Sequence, residues 1–176
     1  MELKEQIAKH IRNIPDFPKP GIQFKDITPL FKNPGLVDDM AKAVVRNFRD
    51  VQIDAVAGIE SRGFLLGPLI ATILGVPFVL IRKAGKLPAK TYHSAYELEY
   101  GEAVIEMHRD ALEAGQKVLV HDDLLATGGT ANATLNLLEQ AGAECAGFSF
   151  IVNLQFLPGE ELLKNQGYQV DSLVHY

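Results

Sequence analysis

The spacing of apolar residues changes several times along this chain, and each change marks a different element. Leu3, Ile7 and Ile11, with Ala8 more loosely, share one helical face, so residues 2–12 read as a short surface helix. The next stretch, Ile14–Gly21, is rich in proline, which fixes φ and removes backbone donors, and regular structure is not expected there. Gln23–Thr28 reads as extended. Leu36, Met40, Val44 and Phe48, at spacings of four, place a longer helix over Asn33–Phe48. From there the pattern alternates: a strand over Ala55–Ile59, a helix over Gly63–Leu74 and a strand over Phe78–Ile81. Side chains alternate in Tyr96–Tyr100 and Ala103–Met107, which reads as an antiparallel pair. A strand at Lys117–Val120, a helix at Thr130–Ala141, a strand at Glu144–Val152, a short helix at Glu160–Asn165 and a strand at Gln169–Val174 complete the chain. Strands alternating with helices predict an α/β fold, a central, mostly parallel sheet flanked by helices, with the proline-rich N-terminus as an appended cap.

Composition narrows the function classes. A chain of 176 residues fits a single domain with a substantial core. The net charge of −5 argues against nucleic acid or an anionic membrane as the main partner, so a phosphorylated substrate would need a local basic site. Gly63–Ile81 is uncharged and could pass for a membrane span, but Pro68, Gly75 and Pro77 break it into a helix and a strand. Cys145 is the sole cysteine, which excludes an intrachain disulfide or a cysteine metal cluster and suits a reducing compartment. Met1–Arg12 is charged and amphipathic, unlike a secretory leader, so a cytoplasmic protein is expected.

The richest segment is Val118–Thr130. An apolar strand ends in the paired acids Asp122 and Asp123, and a short turn, Ala126-Thr127-Gly128-Gly129-Thr130, opens into a helix. Such a turn lies at the carboxyl edge of a parallel sheet, where ligands of α/β proteins bind. Two glycines, two hydroxyls, backbone N–H groups and a helix N-terminus together make a phosphate cradle. Two acids beside it would repel a bare phosphate, but they suit sugar hydroxyls a few ångströms away, or a metal. The implied ligand is a sugar phosphate. There is neither a lysine after the glycines nor a G-x-G-x-x-G run, so the two commoner phosphate fingerprints are absent.

Three other segments carry possible chemistry. Glu60-Ser61-Arg62-Gly63 also follows a buried strand, and Ser61, Arg62 and the backbone there could hold a second anion, although an N-cap serine beside a surface arginine looks the same in sequence. Arg82, Lys83, Lys86 and Lys90 crowd a stretch made irregular by Gly85 and Pro88, either a basic loop able to close on a polyphosphate or a solubilising loop. Glu97 and Glu99 share one face of a predicted strand, and a carboxyl group there could exchange a proton with a substrate nitrogen. The five histidines show no metal-ligand spacing.

The strand, double acid and Thr-Gly-Gly-Thr loop resemble the signature by which type I phosphoribosyltransferases hold 5-phosphoribosyl 1-diphosphate (PRPP). Pro15–Pro29, Gly58–Gly67, Arg82–Pro88 and Ser94–Gly101 also match, in order, and the chain as a whole resembles the adenine phosphoribosyltransferases. The resemblance implies one domain over 1–176, with an N-terminal hood over about 1–33 and a core over about 34–176 that carries a flexible loop over about 83–102. It implies that adenine and PRPP give AMP and pyrophosphate, with Mg²⁺ held chiefly by PRPP oxygens and water and no direct protein ligand.

By the same resemblance, Asp122 and Asp123 hold the ribose hydroxyls, and Ala126, Thr127, Gly128, Gly129 and Thr130 cradle the 5′-phosphate. Ser61 and Arg62 take pyrophosphate in a loop with a cis peptide between Glu60 and Ser61. Phe24 and Lys25 line the base pocket, although Lys25 stands where some relatives have arginine. Glu99, with Tyr100, acts on the purine nitrogen, and Lys83 and Lys86 help to hold pyrophosphate across a homodimer interface. Two other readings compete: a transferase for hypoxanthine, guanine or xanthine, and a PRPP-sensing regulator without turnover. An acidic chain of this length leaves no room for a separate DNA-binding module.

Overall fold

The computed structural model describes residues 2–97 and 102–176. Helix α1 (Leu3–His10) leads into a two-stranded antiparallel ribbon, β1 (Arg12–Pro15) with β2 (Gln23–Asp26), pinned by an Arg12–Asp26 ion pair at 3.0 Å. The proline-rich stretch is thus partly regular. Pro15 ends β1, where a missing N–H costs little, and irregular backbone is confined to residues 16–22. Helix α2 (Pro34–Asn47) begins where the Asn33 side chain accepts from Leu36 N–H and proline occupies the first turn.

Strand β3 (Ala55–Ile59) is buried along its whole length. The helix expected over Gly63–Leu74 is broken into a 3-10 turn at Arg62–Phe64 and helix α3 (Gly67–Leu74). Pro68 sits in the first turn of α3; its ring can begin a helix but clashes with one arriving from upstream. Then follow β4 (Phe78–Lys83), β5 (Thr91–Glu97), β6 (Glu102–His108), β7 (Lys117–Leu125), α4 (Gly129–Gln140), β8 (Glu144–Asn153), α5 (Gly159–Asn165) and β9 (Val170–His175).

These strands form one seven-stranded sheet in the order β5-β6-β4-β3-β7-β8-β9. The five strands from β4 to β9 run parallel, whereas β5 and β6 add an antiparallel edge. Successive residues of a strand face opposite sides, so Ala55, Ala57 and Ile59 join Leu137 and Leu138 of α4, while Val56 joins Met40 and Val44 of α2 and Ile70 of α3. Helices on both faces explain why these strands read as continuous apolar runs. Because the central strands β3 and β7 are parallel neighbours, the loops that follow them open on one edge. Among the described residues, no helix is long and apolar enough to cross a membrane.

Candidate active site

Strand β7 runs further than its apolar signature. Pairing with β8 continues through Asp122↔Phe150 and Leu125↔Asn153, so both acids belong to the sheet and only residues 126–128 form the turn. The hydrophobic pattern reports side-chain burial, whereas the ladder needs only backbone partners, and β8 supplies them. Gly128 takes φ +84°, a left-handed conformation disfavoured for other residues, and turns the chain into α4. A Cβ there would also crowd Gly159 at 3.2 Å. The turn and first residues of α4 enclose a small cavity of about 80 Å³ lined by Asp122, Ala126, Thr127, Gly128, Gly129 and Thr130. Unpaired N–H groups at a helix start make such a cavity suited to an anion. Sequence reasoning missed the support beneath it: Gly159 N–H donates to the Ala126 carbonyl at 3.1 Å, so α5 braces the turn.

The two acids differ in surroundings. Asp122 Oδ1 accepts the backbone N–H of Asp123 at 2.8 Å, and Asp122 borders the cavity. Asp123 is 2 % exposed. Its Oδ2 is buried 2.9 Å from Arg62 Nε, out of line for a hydrogen bond, so the contact is an ion pair, and Asp123, unlike Asp122, borders neither cavity described here. Burial, and then the charge of Asp123, push the Asp122 carboxyl well above the usual carboxylate range. Burial also raises Asp123, against the lowering pull of Arg62. Gly63 permits this closeness, since a Cβ there would sit 2.7 Å from the His121 carbonyl. His121 itself is a core residue: burial drives its pKa down to about 4, and Nδ1 lies 3.3 Å from Ser149 Oγ.

After β3 the Glu60–Ser61 peptide is cis, as the resemblance implies, and Ser61 is exposed beside Arg62. The Glu60 carboxylate accepts from Arg82 Nε at 3.1 Å, Arg82 Nη2 at 3.3 Å and Lys83 N–H at 2.9 Å. Arg82 and Lys83 therefore lie in β4 and not in the basic loop, which is limited to residues 84–90, and Arg82 is already engaged. Lys83 and Lys86 are exposed and stand outside the cavities described here.

The β1–β2 ribbon reaches the same edge. The Arg62 guanidinium stacks 5.4 Å from the Phe24 ring centroid, so Phe24, Arg62 and Asp123 form a continuous stack. Lys25 Nζ lies 3.9 Å from the Tyr176 ring centroid. Between ribbon and sheet lies a largely apolar cavity of about 610 Å³, walled by Ile22, Lys25, Thr127, Leu154, Phe156 and Tyr176. That volume suits a small organic molecule, for which about 300–1,000 Å³ is usual. Leu154, Phe156 and Tyr176 were not singled out from sequence; the only signal is that they follow parallel strands and so emerge on the ligand-binding edge.

Glu99 and Tyr100 lie outside the described residues. In the described part of β5, the His93 carbonyl accepts from Gln140 Nε2 at 2.9 Å, and a Cβ on Gly129 would lie 3.5 Å from the Tyr96 ring. The described residues of β5 thus rest on α4, with Tyr96 and Glu97 beside Gly129. Among the described residues, no three His, Cys, Asp or Glu side chains converge as a metal site. The Asp122 carboxylate, at the cavity wall, could meet a hydrated cation brought in by a ligand.

Comparison with known proteins agrees with this geometry. A family model described as a phosphoribosyl transferase domain matches residues 26–171. The adenine phosphoribosyltransferase of Desulfitobacterium hafniense (strain Y51) is 51% identical over 168 residues, 96% of each chain. The crystal structure of adenine phosphoribosyltransferase from Thermoanaerobacter pseudethanolicus superposes with a TM-score of 0.93 at 44% identity, over 98% of this chain and 99% of that one. The Saccharomyces cerevisiae enzyme, complexed with D-2,5-dideoxy-2,5-imino-altritol 1,6-bisphosphate and adenine, superposes at 0.90 with 40% identity, over 97% and 98%.

Proposed function

This chain belongs to the phosphoribosyltransferase family, and from that premise we infer that it transfers the phosphoribosyl group of PRPP to adenine, giving AMP and pyrophosphate. The observation that carries the reading is the sharing of Thr127 between the anion cavity and the apolar cavity, which makes them neighbours, as the phosphate and base ends of one nucleotide require. The high identity to adenine enzymes favours adenine over a 6-oxopurine. A 6-oxo base would present an acceptor where adenine donates, and the pocket would have to reverse that hydrogen bond.

The reaction exchanges a bond from the anomeric carbon to pyrophosphate oxygen for one to a purine nitrogen. Positive charge builds on the ribose as the leaving group departs, and fixed charges aimed at it lower the barrier. Residues 126–130 cradle the 5′-phosphate. Asp122, at the cavity wall, and Asp123 beside it accept from the ribose hydroxyls and carry the negative charge that offsets the developing positive charge. Ser61 and Arg62 take the pyrophosphate end, with Lys83 and Lys86 adding cations. Lys25 lines the base pocket, Phe24 stands next to it against Arg62, and Glu99, with Tyr100, manages the proton on the purine nitrogen. Mg²⁺, bound through PRPP oxygens and water, would neutralise the leaving charge.

We read the ribbon as a hood on a single domain. A homodimer accords with Leu65, Ile73 and Leu80, large apolar side chains left 46%, 38% and 41% exposed. A cytoplasmic setting accords with the single free thiol, Cys145.

Offered PRPP, Mg²⁺ and an equimolar mixture of adenine, hypoxanthine, guanine and xanthine, the protein should make AMP as the dominant nucleotide by mass. IMP or GMP in excess would transfer the assignment to the 6-oxo enzymes. Asp123→Ala should weaken PRPP binding by about tenfold or more while adenine binding changes little, since a buried charge-assisted hydrogen bond is lost only on the sugar side. Calorimetric titration with each ligand separates the two, and parallel losses would contradict the sugar-side role.

A further inference from the structure

The basic loop between β4 and β5 is tied to two carboxylates, to Glu60 through Arg82 and to a second one directly, and only Glu60 belongs to the site described above. The other is Glu106 of β6, which is 2 % exposed. Its neighbours across the sheet are Arg82 of β4 and His93 of β5. Glu106 Oε1 accepts the backbone N–H of Lys86 at 2.9 Å and that of Leu87 at 2.8 Å, while Oε2 faces His93 Nδ1 at 3.7 Å. Arg82 Nη1 donates to the Lys86 carbonyl at 3.1 Å, and the same guanidinium is fastened to Glu60, one residue before Ser61. Lys86 is therefore gripped at its N–H by Glu106 and at its C=O by Arg82, whereas its side chain is exposed and, among the described residues, forms no salt bridge.

Glu106 is itself buried, on the face of β6 opposite to that of the core residues Ile105 and Met107. A carboxylate at Glu106 carries a desolvation cost that an apolar residue would not, and what it returns is two hydrogen bonds to the loop backbone. Those bonds fix the direction in which the Lys86 side chain leaves the loop. The bridge through Arg82 and Glu60 ties that direction to the Ser61–Arg62 turn.

We propose that Glu106 is a positioning residue for pyrophosphate. By holding the Lys86–Leu87 backbone it aims the Lys86 ammonium at the diphosphate arm of PRPP, and it touches no substrate itself. The proposal rests on the transferase reading above and deepens it on the leaving-group side. Without the clamp, the loop must be ordered at the moment of binding, and affinity for the diphosphate falls.

The test uses the full-length protein with Glu106→Asp, Glu106→Gln, Lys86→Ala and the Glu106→Asp/Lys86→Ala double variant. Pyrophosphate affinity is read by calorimetry in the presence of Mg²⁺, and KM for PRPP and for adenine by steady-state assay. Glu106→Asp, whose shorter side chain withdraws the acceptor, should weaken pyrophosphate binding and raise KM for PRPP by about tenfold, with KM for adenine within about twofold. Glu106→Gln keeps a carbonyl acceptor and should recover most of that loss. The double variant should bind pyrophosphate no worse than Lys86→Ala alone, because one residue acts through the other. Wild-type pyrophosphate affinity in Glu106→Asp would overturn the proposal, as would a loss that simply adds to that of Lys86→Ala or falls equally on adenine. A wild-type protein that makes no AMP would instead defeat the transferase reading, since the pyrophosphate titration judges the clamp without turnover.

Discussion

Asp122→Asn should slow AMP formation by on the order of 10²-fold or more while raising the melting temperature at neutral pH. The two effects have one cause. Burial and the neighbouring charge of Asp123 hold the Asp122 carboxyl well above its usual range. A carboxyl raised in the folded state lends stability only while protonated; that contribution is complete below the ordinary carboxylate range and disappears as pH rises through the raised folded value. At neutral pH the folded protein therefore bears the cost of two crowded acids. Asparagine keeps an oxygen able to accept from Asp123 N–H, as Asp122 Oδ1 does, and removes the repulsion. The gain should be roughly 2–4 °C, the shift that about 1 kcal/mol produces in a domain of this size. It should shrink on acidification, as the wild-type carboxyl protonates. Calorimetry of both proteins at pH 7.5 and pH 5, beside a turnover assay, decides the matter. An asparagine variant that melts lower at pH 7.5 would refute the account.

Glu99→Gln should retain AMP binding and lose turnover by about 10²–10⁴-fold, the usual contribution of a positioned acid or base. The amide keeps the size and the acceptor oxygen of the side chain but cannot take or give a proton at a purine nitrogen. Titration with AMP reports binding, and single-turnover synthesis reports the chemical step. Equal rates in the two proteins would remove Glu99 from proton transfer.

What the sequence disclosed here follows from the scale of each interaction. The turn after β7 was legible because its course is set by backbone, and such a course demands small residues at fixed spacing: Gly128 is needed for its left-handed φ, and Gly129 opens α4. The α/β alternation was legible for a similar reason, since a strand covered on both faces shows as an unbroken apolar run. The length of β7 was not legible, because Asp122 and Asp123 look like the end of a strand although their backbone still pairs with β8.

Pairs far apart in sequence were also hidden. Arg62 and Arg82 look alike as loop cations, yet the fold sets one against Asp123 and spends the other on Glu60. Glu106 sits in an ordinary alternating strand, and nothing local marks it as the acceptor for a loop that departs from a neighbouring strand. The walls of the apolar cavity were likewise unmarked, because Leu154 and Tyr176 acquire their role only when β8 and β9 close beside the ribbon.

Thr127 forms part of both the small cavity at the start of α4 and the apolar cavity, so the two chambers adjoin at that residue. Two chambers joined in this way act as a gauge. A ligand that fills both chambers must carry its two ends on a linker that passes Thr127, so its span is selected along with the chemistry of either end.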